Sequence, residues 1–236
     1  MRILVIGGTG AAGSRIAAEA RRRGHVVTVA SRNPAVERER VALGDRRDPF
    51  DAGSPRAGHA PTGSVRVDAA DPEAVAAYAV EADVLLSATR PAIGTEEDVS
   101  AVTRALAFAA AAADTRLLVV GGAAPLRSPA TGQTVLDDPQ WVPTAIRPFA
   151  AASTRQLAIL REAPAEVAWT YLAPAADFAP REARGTYRHD AGSRSVPDLV
   201  IGADGTSRIS MEDFALAACD EAEHARVRRG VIAVGW

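Results

Sequence analysis

The 236-residue sequence predicts an α/β fold, a doubly wound parallel sheet followed by a small C-terminal region, and three observations predict it. Short apolar runs of strand character alternate with helical patterns from residue 1 to residue 174. The first such run passes directly into a glycine cluster, Gly7, Gly8, Gly10 and Gly13, that opens a helical stretch. Residues 175–236 abandon the alternation for Arg- and Gly-rich loops with a hairpin, one more helix and a closing strand. The chain is thus expected to hold a core over 1–174 and further elements of the same domain over 175–236.

Each element has its own signal. Residues 2–6 are a β-branched-rich run, the pattern of a strand buried on both faces. An Ala-rich helix follows to Arg23, where Gly24-His25 breaks it, and His25–Ala30 reads as the second strand, ending at Ser31-Arg32-Asn33-Pro34. Residues 44–63 carry Gly44, Gly53, Gly58, Gly63 and clustered charges, and read as a long surface loop. Ser64–Val67 is a third strand closed by Asp68. Asp71-Pro72-Glu73 starts a helix, with an N-cap acid and proline at the first helical position. Asp83–Ser87 is strand four. Val99, Val102, Leu106 and Ala110 mark a helix to Ala113, and Leu117–Val120 is strand five. A helix from about Thr144 to Ala163 and a strand over Val167–Leu172, ending at Ala173-Pro174, complete the alternation. In the last region a hairpin is expected between Thr186–His189 and Leu199–Ile201, then a helix over Met211–Glu223 and a strand over Val231–Val234. Ser210 is placed to cap that last helix, with Asp213 in position for a near capping box.

A strand, a glycine turn and a helix in that order make a phosphate site. Missing Cβ atoms let backbone N–H groups approach a pyrophosphate, and the helix N-terminus adds partial positive charge. The spacing satisfies Gly8-x-Gly10-x-x-Gly13 and Gly7-x-x-Gly10-x-x-Gly13 at once, in the strand-to-helix context a dinucleotide fingerprint requires. The predicted fold is therefore Rossmann-like, and Gly7, Gly8, Thr9, Gly10, Ala11, Ala12 and Gly13 are the expected pyrophosphate contacts. At the end of the second strand, where an acid would hold the 2′-hydroxyl of NAD, stands Arg32 between Ser31 and Asn33. A guanidinium there binds a 2′-phosphate that a carboxylate would repel, so NADPH is preferred over NADH. Asp68 is placed to accept from the adenine amine. Ligands of open α/β sheets lie at the carboxyl ends of the strands, which fixes the loops after Ile6, Ala30, Val67, Ser87, Val120 and Leu172 as the site.

Composition narrows the function. Hydrophobic residues make up 47% and charged residues 24%, and the net charge of −2 offers no basic face for nucleic acid or anionic lipid. The longest apolar run, Ala105–Ala113, is far short of the roughly 20 residues that span a bilayer. The single cysteine, Cys219, excludes an internal disulfide and fits a reducing, cytoplasmic setting; the N-terminal apolar run enters the glycine turn with no signal-peptide pattern. His25, His59, His189 and His224 are dispersed, without metal-ligand spacing. Every cationic side chain other than histidine is arginine, so no step can use a lysine amine.

Five blocks carry a family resemblance: Ile6–Ser14, Arg22–Pro34, Leu117–Ala123, Trp169–Pro174 and Ile209–Ala215. In this order they resemble the NAD(P)H-binding, atypical short-chain dehydrogenase/reductase family, whose members include NADH-flavin reductases, biliverdin reductase B and NmrA-like proteins. The resemblance implies pyrophosphate contact at Gly7–Gly13 and 2′-phosphate contact at Arg32. It also implies adenine contact at Asp68 and Ala69, ribose contact at Ala88 and Thr89, and nicotinamide-amide contact at Pro174. It also exposes departures. The Tyr-x-x-x-Lys pair of active reductases is absent: Phe149-Ala-Ala-Ala-Ser153 stands near that position, and Gly121-Gly-Ala-Ala-Pro-Leu126 lacks the usual serine. A proton donor is worth about two to four orders of magnitude in rate. The sequence therefore points to hydride transfer to a small-molecule acceptor that draws its proton from water, a flavin such as FMN or FAD, or a quinone. The alternatives are an NmrA-like redox sensor that binds NADP(H) without turnover and reports to a protein partner, and a biosynthetic enzyme using the fold for non-redox chemistry. Replacement acids would come from Tyr171, Asp177, Thr89 or Arg147.

Overall fold

The structure, a computed structural model, describes residues 1–34, 63–90, 94–191 and 196–236. Apart from Gly63, the loop expected over 44–63 lies outside them. The first strand, β1 (Arg2–Ile6), takes its central place because it has no solvent face to offer: Ile3 and Val5 point to one side, Leu4 and Ile6 to the other, and all four are buried. Around it run β2 (Val26–Ser31), β3 (Gly63–Arg66), β4 (Val84–Ser87), β5 (Arg116–Val120), β6 (Trp169–Pro174) and β10 (Arg229–Gly235), all parallel, in the order β3-β2-β1-β4-β5-β6-β10. A short β8 (Arg188–Asp190) adds antiparallel at the β10 edge. The order reverses at β1, so the crevice between β1 and β4 is the switch point where such sheets bind ligands. Registers Ile6↔Ala30, Ile6↔Ser87, Val120↔Leu172 and Pro174↔Val234 bring the carboxyl ends of these strands to one edge.

Helices α1 (Ala11–Arg22) and α5 (Met211–His224) cover one face, over a core that includes Ile3, Val5, Ile16, Val29 and Phe214. The helices α2 (Pro72–Ala79), α3 (Asp98–Ala112) and α4 (Arg147–Glu162) cover the other, over Leu4, Ile6, Leu85, Leu106, Leu117 and Tyr171. Local chemistry sets the helix starts. The Asp71 carboxylate accepts from the N–H groups of Glu73 and Ala74 at 3.1 and 3.0 Å, with Pro72 at the first helical position. Ser210 Oγ accepts from Asp213 N–H at 2.9 Å. The near capping box does not close from Asp213: its buried carboxylate instead accepts from Arg184 N–H, Gly185 N–H and Trp236 Nε1–H at 2.8, 2.9 and 2.9 Å.

The expected hairpin is corrected. Residues 188–190 pair with β10 at the open sheet edge, and Leu199 N–H donates to the Arg127 carbonyl. Strand pattern reports a strand, whereas an unpaired edge elsewhere chooses its partner. A second, two-stranded parallel sheet forms from β7 (Asp177–Ala179) and β9 (Arg208–Ser210), with Phe178 level with Ile209. Among the described residues, no helix is long and apolar enough to cross a membrane.

One buried ion pair ties α5 to the sheet. The Arg116 guanidinium donates to the Glu221 carboxylate, to the Glu221 carbonyl at 2.8 Å and to Thr170 Oγ1 at 3.1 Å. Burial pulls the Arg116 guanidinium below its ordinary value, against the opposing pull of Glu221. Such a pair adds little net stability, because both charges were desolvated to make it, but losing one partner strands the other.

Candidate dinucleotide site

The turn after β1 is as tight as its glycines imply. Gly7 has φ +77°, and a Cβ there would lie 2.9 Å from the Ala88 carbonyl oxygen. A Cβ on Gly13 would lie 2.3 Å from the Gly7 oxygen, so the third glycine lets α1 close onto the turn. Gly7 N–H donates to the Ala30 carbonyl at 2.8 Å, and Gly10 N–H to Gly7 at 3.0 Å. Gly10 is different in kind: it is the exposed N-cap, in extended conformation, and a Cβ there would meet the Gly7 oxygen at 3.2 Å.

Helical geometry gives the amides of Ala11, Ala12 and Gly13 no acceptor within α1. Gly10 supplies no side-chain cap, and the first turn holds no acid. The turn thus ends in a row of donors with partial positive charge, which fits a pyrophosphate. The neighbouring strand end fits the rest of a dinucleotide. Ser31 is buried at the end of β2, and its Oγ has no hydrogen-bond partner among the described residues. A buried hydroxyl left unsatisfied is costly unless a ligand completes it. Arg32 and Asn33 follow it and are exposed.

The remaining sequence-predicted residues fall as follows. Thr9 sits half-buried in the turn. Ala88 N–H donates to Ile6 at 2.9 Å, which places Ala88 beside Gly7, and Thr89 Oγ1 shares a hydrogen bond of 2.9 Å with Ser87. Asp68 is exposed at the end of β3; its Oδ1 accepts from Ala70 N–H at 3.0 Å, and Ala69 beside it is half-buried. Pro174 ends β6, buried beside Val234.

The four residues named as replacement acids do not meet in one place. Tyr171 is fully buried, its hydroxyl accepting from Gly122 N–H at 2.9 Å and donating to the Ser153 carbonyl at 3.1 Å. Burial pushes its pKa far above the ordinary phenol value. A Cβ on Gly121 would lie 1.9 Å from the tyrosine ring, so the residues after β5 are shaped around Tyr171. Tyr171 is therefore a fastener of the β5–α4 connection, closed to substrate. Arg147 is exposed, donating to the Leu136 carbonyl and to Asp137 Oδ1 at 2.6 Å each. Hydrogen bonds from Thr134 and Arg147 hold Asp137 below the usual carboxylate range. Asp177 lies on β7 and grips Arg181 at 2.7 and 2.8 Å. It lines a cavity of about 460 Å³ with Arg181, Glu182, Ala183, Arg184, Arg208 and Trp236. Of these the sequence singled out only Asp177; the i,i+4 spacing to Arg181 was the one local sign of its partner.

The sequence pattern of the NAD(P)H-binding family matches residues 7–225. The chain belongs to that family. It is 31% identical to the uncharacterised protein YwnB of Bacillus subtilis over 226 residues, 95% of this chain and 93% of that protein. A crystal structure described as an exported protein of Burkholderia pseudomallei is 33% identical, covers both chains in full and superposes with a TM-score of 0.79. A candidate NADH-flavin reductase of Streptococcus pneumoniae is 25% identical, covers 100% of this chain and 99% of its own, and superposes at 0.78. The matched region opens on Gly7, the first residue of the turn.

Proposed function

We propose that this NAD(P)H-binding protein is an NADPH-dependent oxidoreductase that reduces a flavin, a quinone or a similar conjugated acceptor without a tyrosine acid. One observation carries the proposal: a complete dinucleotide turn stands on a sheet whose only site-side tyrosine candidate, Tyr171, is sealed in the core. Bound NADPH supplies a hydride, and one proton from water completes the two-electron reduction of the acceptor. The amides of Ala11, Ala12 and Gly13 hold the pyrophosphate, Arg32 and Ser31 the 2′-phosphate, and Asn33 flanks them. Asp68 and Ala69 border the adenine, Ala88 and Thr89 the ribose, and Pro174 the nicotinamide amide. A carbonyl acceptor needs an acid as its oxyanion forms, whereas a flavin or quinone delocalises that charge, so the arrangement suits the second class. The flavin-reductase description of the Streptococcus relative supports the same class. The partner is thus a small molecule, neither nucleic acid nor membrane, and the buried Cys219 thiol suits a reducing cytoplasm.

The test is NADPH oxidation by the purified full chain with a panel of flavins, quinones and enones. Turnover of at least one flavin or quinone well above simple ketones is expected. Tight NADPH binding with no turnover on any acceptor refutes the proposal and favours the sensor. Arg32→Glu is expected to weaken NADPH binding at least about tenfold while changing NADH binding little. Equal effects on both cofactors refute the 2′-phosphate assignment.

A further inference from the structure

The cavity beside Asp177 has features that the hydride site does not use. Its volume of about 460 Å³ lies in the range of small-molecule sites. Three guanidiniums line it, Arg181, Arg184 and Arg208, against two carboxylates, Asp177 and Glu182. The arginines are held, and held differently. Asp177 grips Arg181 through both carboxylate oxygens, and its Oδ2 lies 3.5 Å from Arg208 Nε. Arg184 lies over the Trp236 ring, its Cζ 3.7 Å from the centroid. A guanidinium seated on an aromatic face is held by the ring while its N–H donors remain available to a ligand. The buried Asp213 carboxylate fixes that stack from beneath, taking Arg184 N–H and Trp236 Nε1–H. Arg184, seated over the indole, and Arg208, ion-paired with Asp177, thus both bring guanidinium N–H donors to the cavity, and phosphate oxygens can match such donors in pairs.

The cavity also adjoins the dinucleotide turn. Arg15 donates to the Ala11 carbonyl at 2.8 Å, in the first turn of α1, and to Glu212 Oε1; Glu212 Oε2 accepts from Arg181 N–H at 3.0 Å. A continuous line of hydrogen bonds thus runs from the pyrophosphate turn to the cavity wall. β7 starts three residues after Pro174, and Trp236 follows β10 directly, so the cavity opens at the same sheet edge.

We infer that this cavity seats a phosphate group on the acceptor, through Arg184 and Arg208, so that FMN is taken in preference to riboflavin. The inference rests on the proposed reduction of a flavin and names the flavin. Two molecules with one ring and one difference, the phosphate, make the test direct. Binding of FMN and of riboflavin to the full chain is followed by quenching of flavin fluorescence, in the wild type and in Arg184→Gln, Arg208→Gln and Arg208→Lys. FMN is expected to bind at least about tenfold tighter than riboflavin. The ratio is expected to fall towards one in both glutamine variants and to recover in part in Arg208→Lys. Inorganic phosphate, titrated against the tryptophan fluorescence, is expected to change the wild-type signal and to compete with FMN but not with riboflavin.

Equal affinity for the two flavins in the wild type overturns the inference. So does an unchanged ratio in the variants, as a merely structural role for Arg208 would give. A phosphate response without any flavin turnover leaves the anion site standing and removes the reductase. Turnover of both flavins alike, with no phosphate response, does the reverse.

Discussion

Replacing Tyr171 by phenylalanine separates structure from catalysis at the one tyrosine on the site side of the sheet. The substitution deletes a hydroxyl that accepts from Gly122 N–H at 2.9 Å and donates to the Ser153 carbonyl at 3.1 Å, both inside the protein. The ring stays, so the core volume is kept, and the loss is confined to two part-buried hydrogen bonds: the Gly122 N–H loses its acceptor, whereas the Ser153 carbonyl sits inside α4 and keeps the helical N–H four residues on. Stranding such a group costs about 1–3 kcal/mol. For a chain of this size each kcal/mol lowers Tm by about 2–4 °C, so a fall of roughly 2–12 °C is expected. NADPH oxidation below the new Tm is expected to change by less than about threefold. The paired assays are thermal unfolding by circular dichroism and initial rates with the best acceptor. A proton donor removed from the site would instead cost about two to four orders of magnitude in rate. A rate loss of that size with an unchanged Tm refutes the assignment of Tyr171 as a fastener.

The glycines offer a contrast: Gly10→Ala, whose Cβ meets only the Gly7 oxygen at 3.2 Å, is expected to keep stability within about 1 kcal/mol and lose NADPH affinity. Gly13→Ala, at 2.3 Å from the same oxygen, is expected to lose both, as read by urea unfolding and equilibrium titration. Glu221→Ala strands the buried Arg116 charge, and a loss of about 3–5 kcal/mol in urea unfolding is expected, against little change in NADPH affinity. Acid should destabilise the α1–α5 contact. Burial pushes Glu19 upward, but hydrogen bonds from Arg22 and Arg23 outweigh it and hold the carboxyl below its ordinary value; Asp220 is lowered in the same way, against burial, by Tyr187 and Arg23. The unfolded chain therefore binds protons first, and this stability is complete above about pH 4.5 and lost as pH falls through the lower folded values. Arg23→Gln is expected to flatten that acid limb in unfolding measured from pH 7 to 3; an unchanged limb refutes the attribution.

The sequence alone determined the frame of this protein. The double-sided apolar runs at β1, β4 and β5 dictate a sheet covered on both faces, because no register of such a strand leaves a polar side for water. The glycines at 7 and 13 dictate the turn, because only the missing Cβ admits the approach of Ala88 and of α1. Asp71-Pro72 and Ser210 dictate helix starts, because caps act within three residues. These signals are local, and they were legible.

Only the tertiary structure decided what lies between distant residues. Residues 188–190 chose β10 over the nearby 199–201 segment because an open sheet edge was available there. Tyr171 reads as a strand residue from sequence; that its hydroxyl turns inward to Gly122 and Ser153 depends on a loop 49 residues earlier and a helix 18 residues earlier. The cavity of Asp177, Arg184, Arg208 and Trp236 joins three stretches far apart in the chain, 177–184, 208 and 236. Periodicity reports how deeply a residue is buried and in which kind of element. Which group a buried or charged side chain meets is set by chain crossings, and so it first appears in the folded molecule.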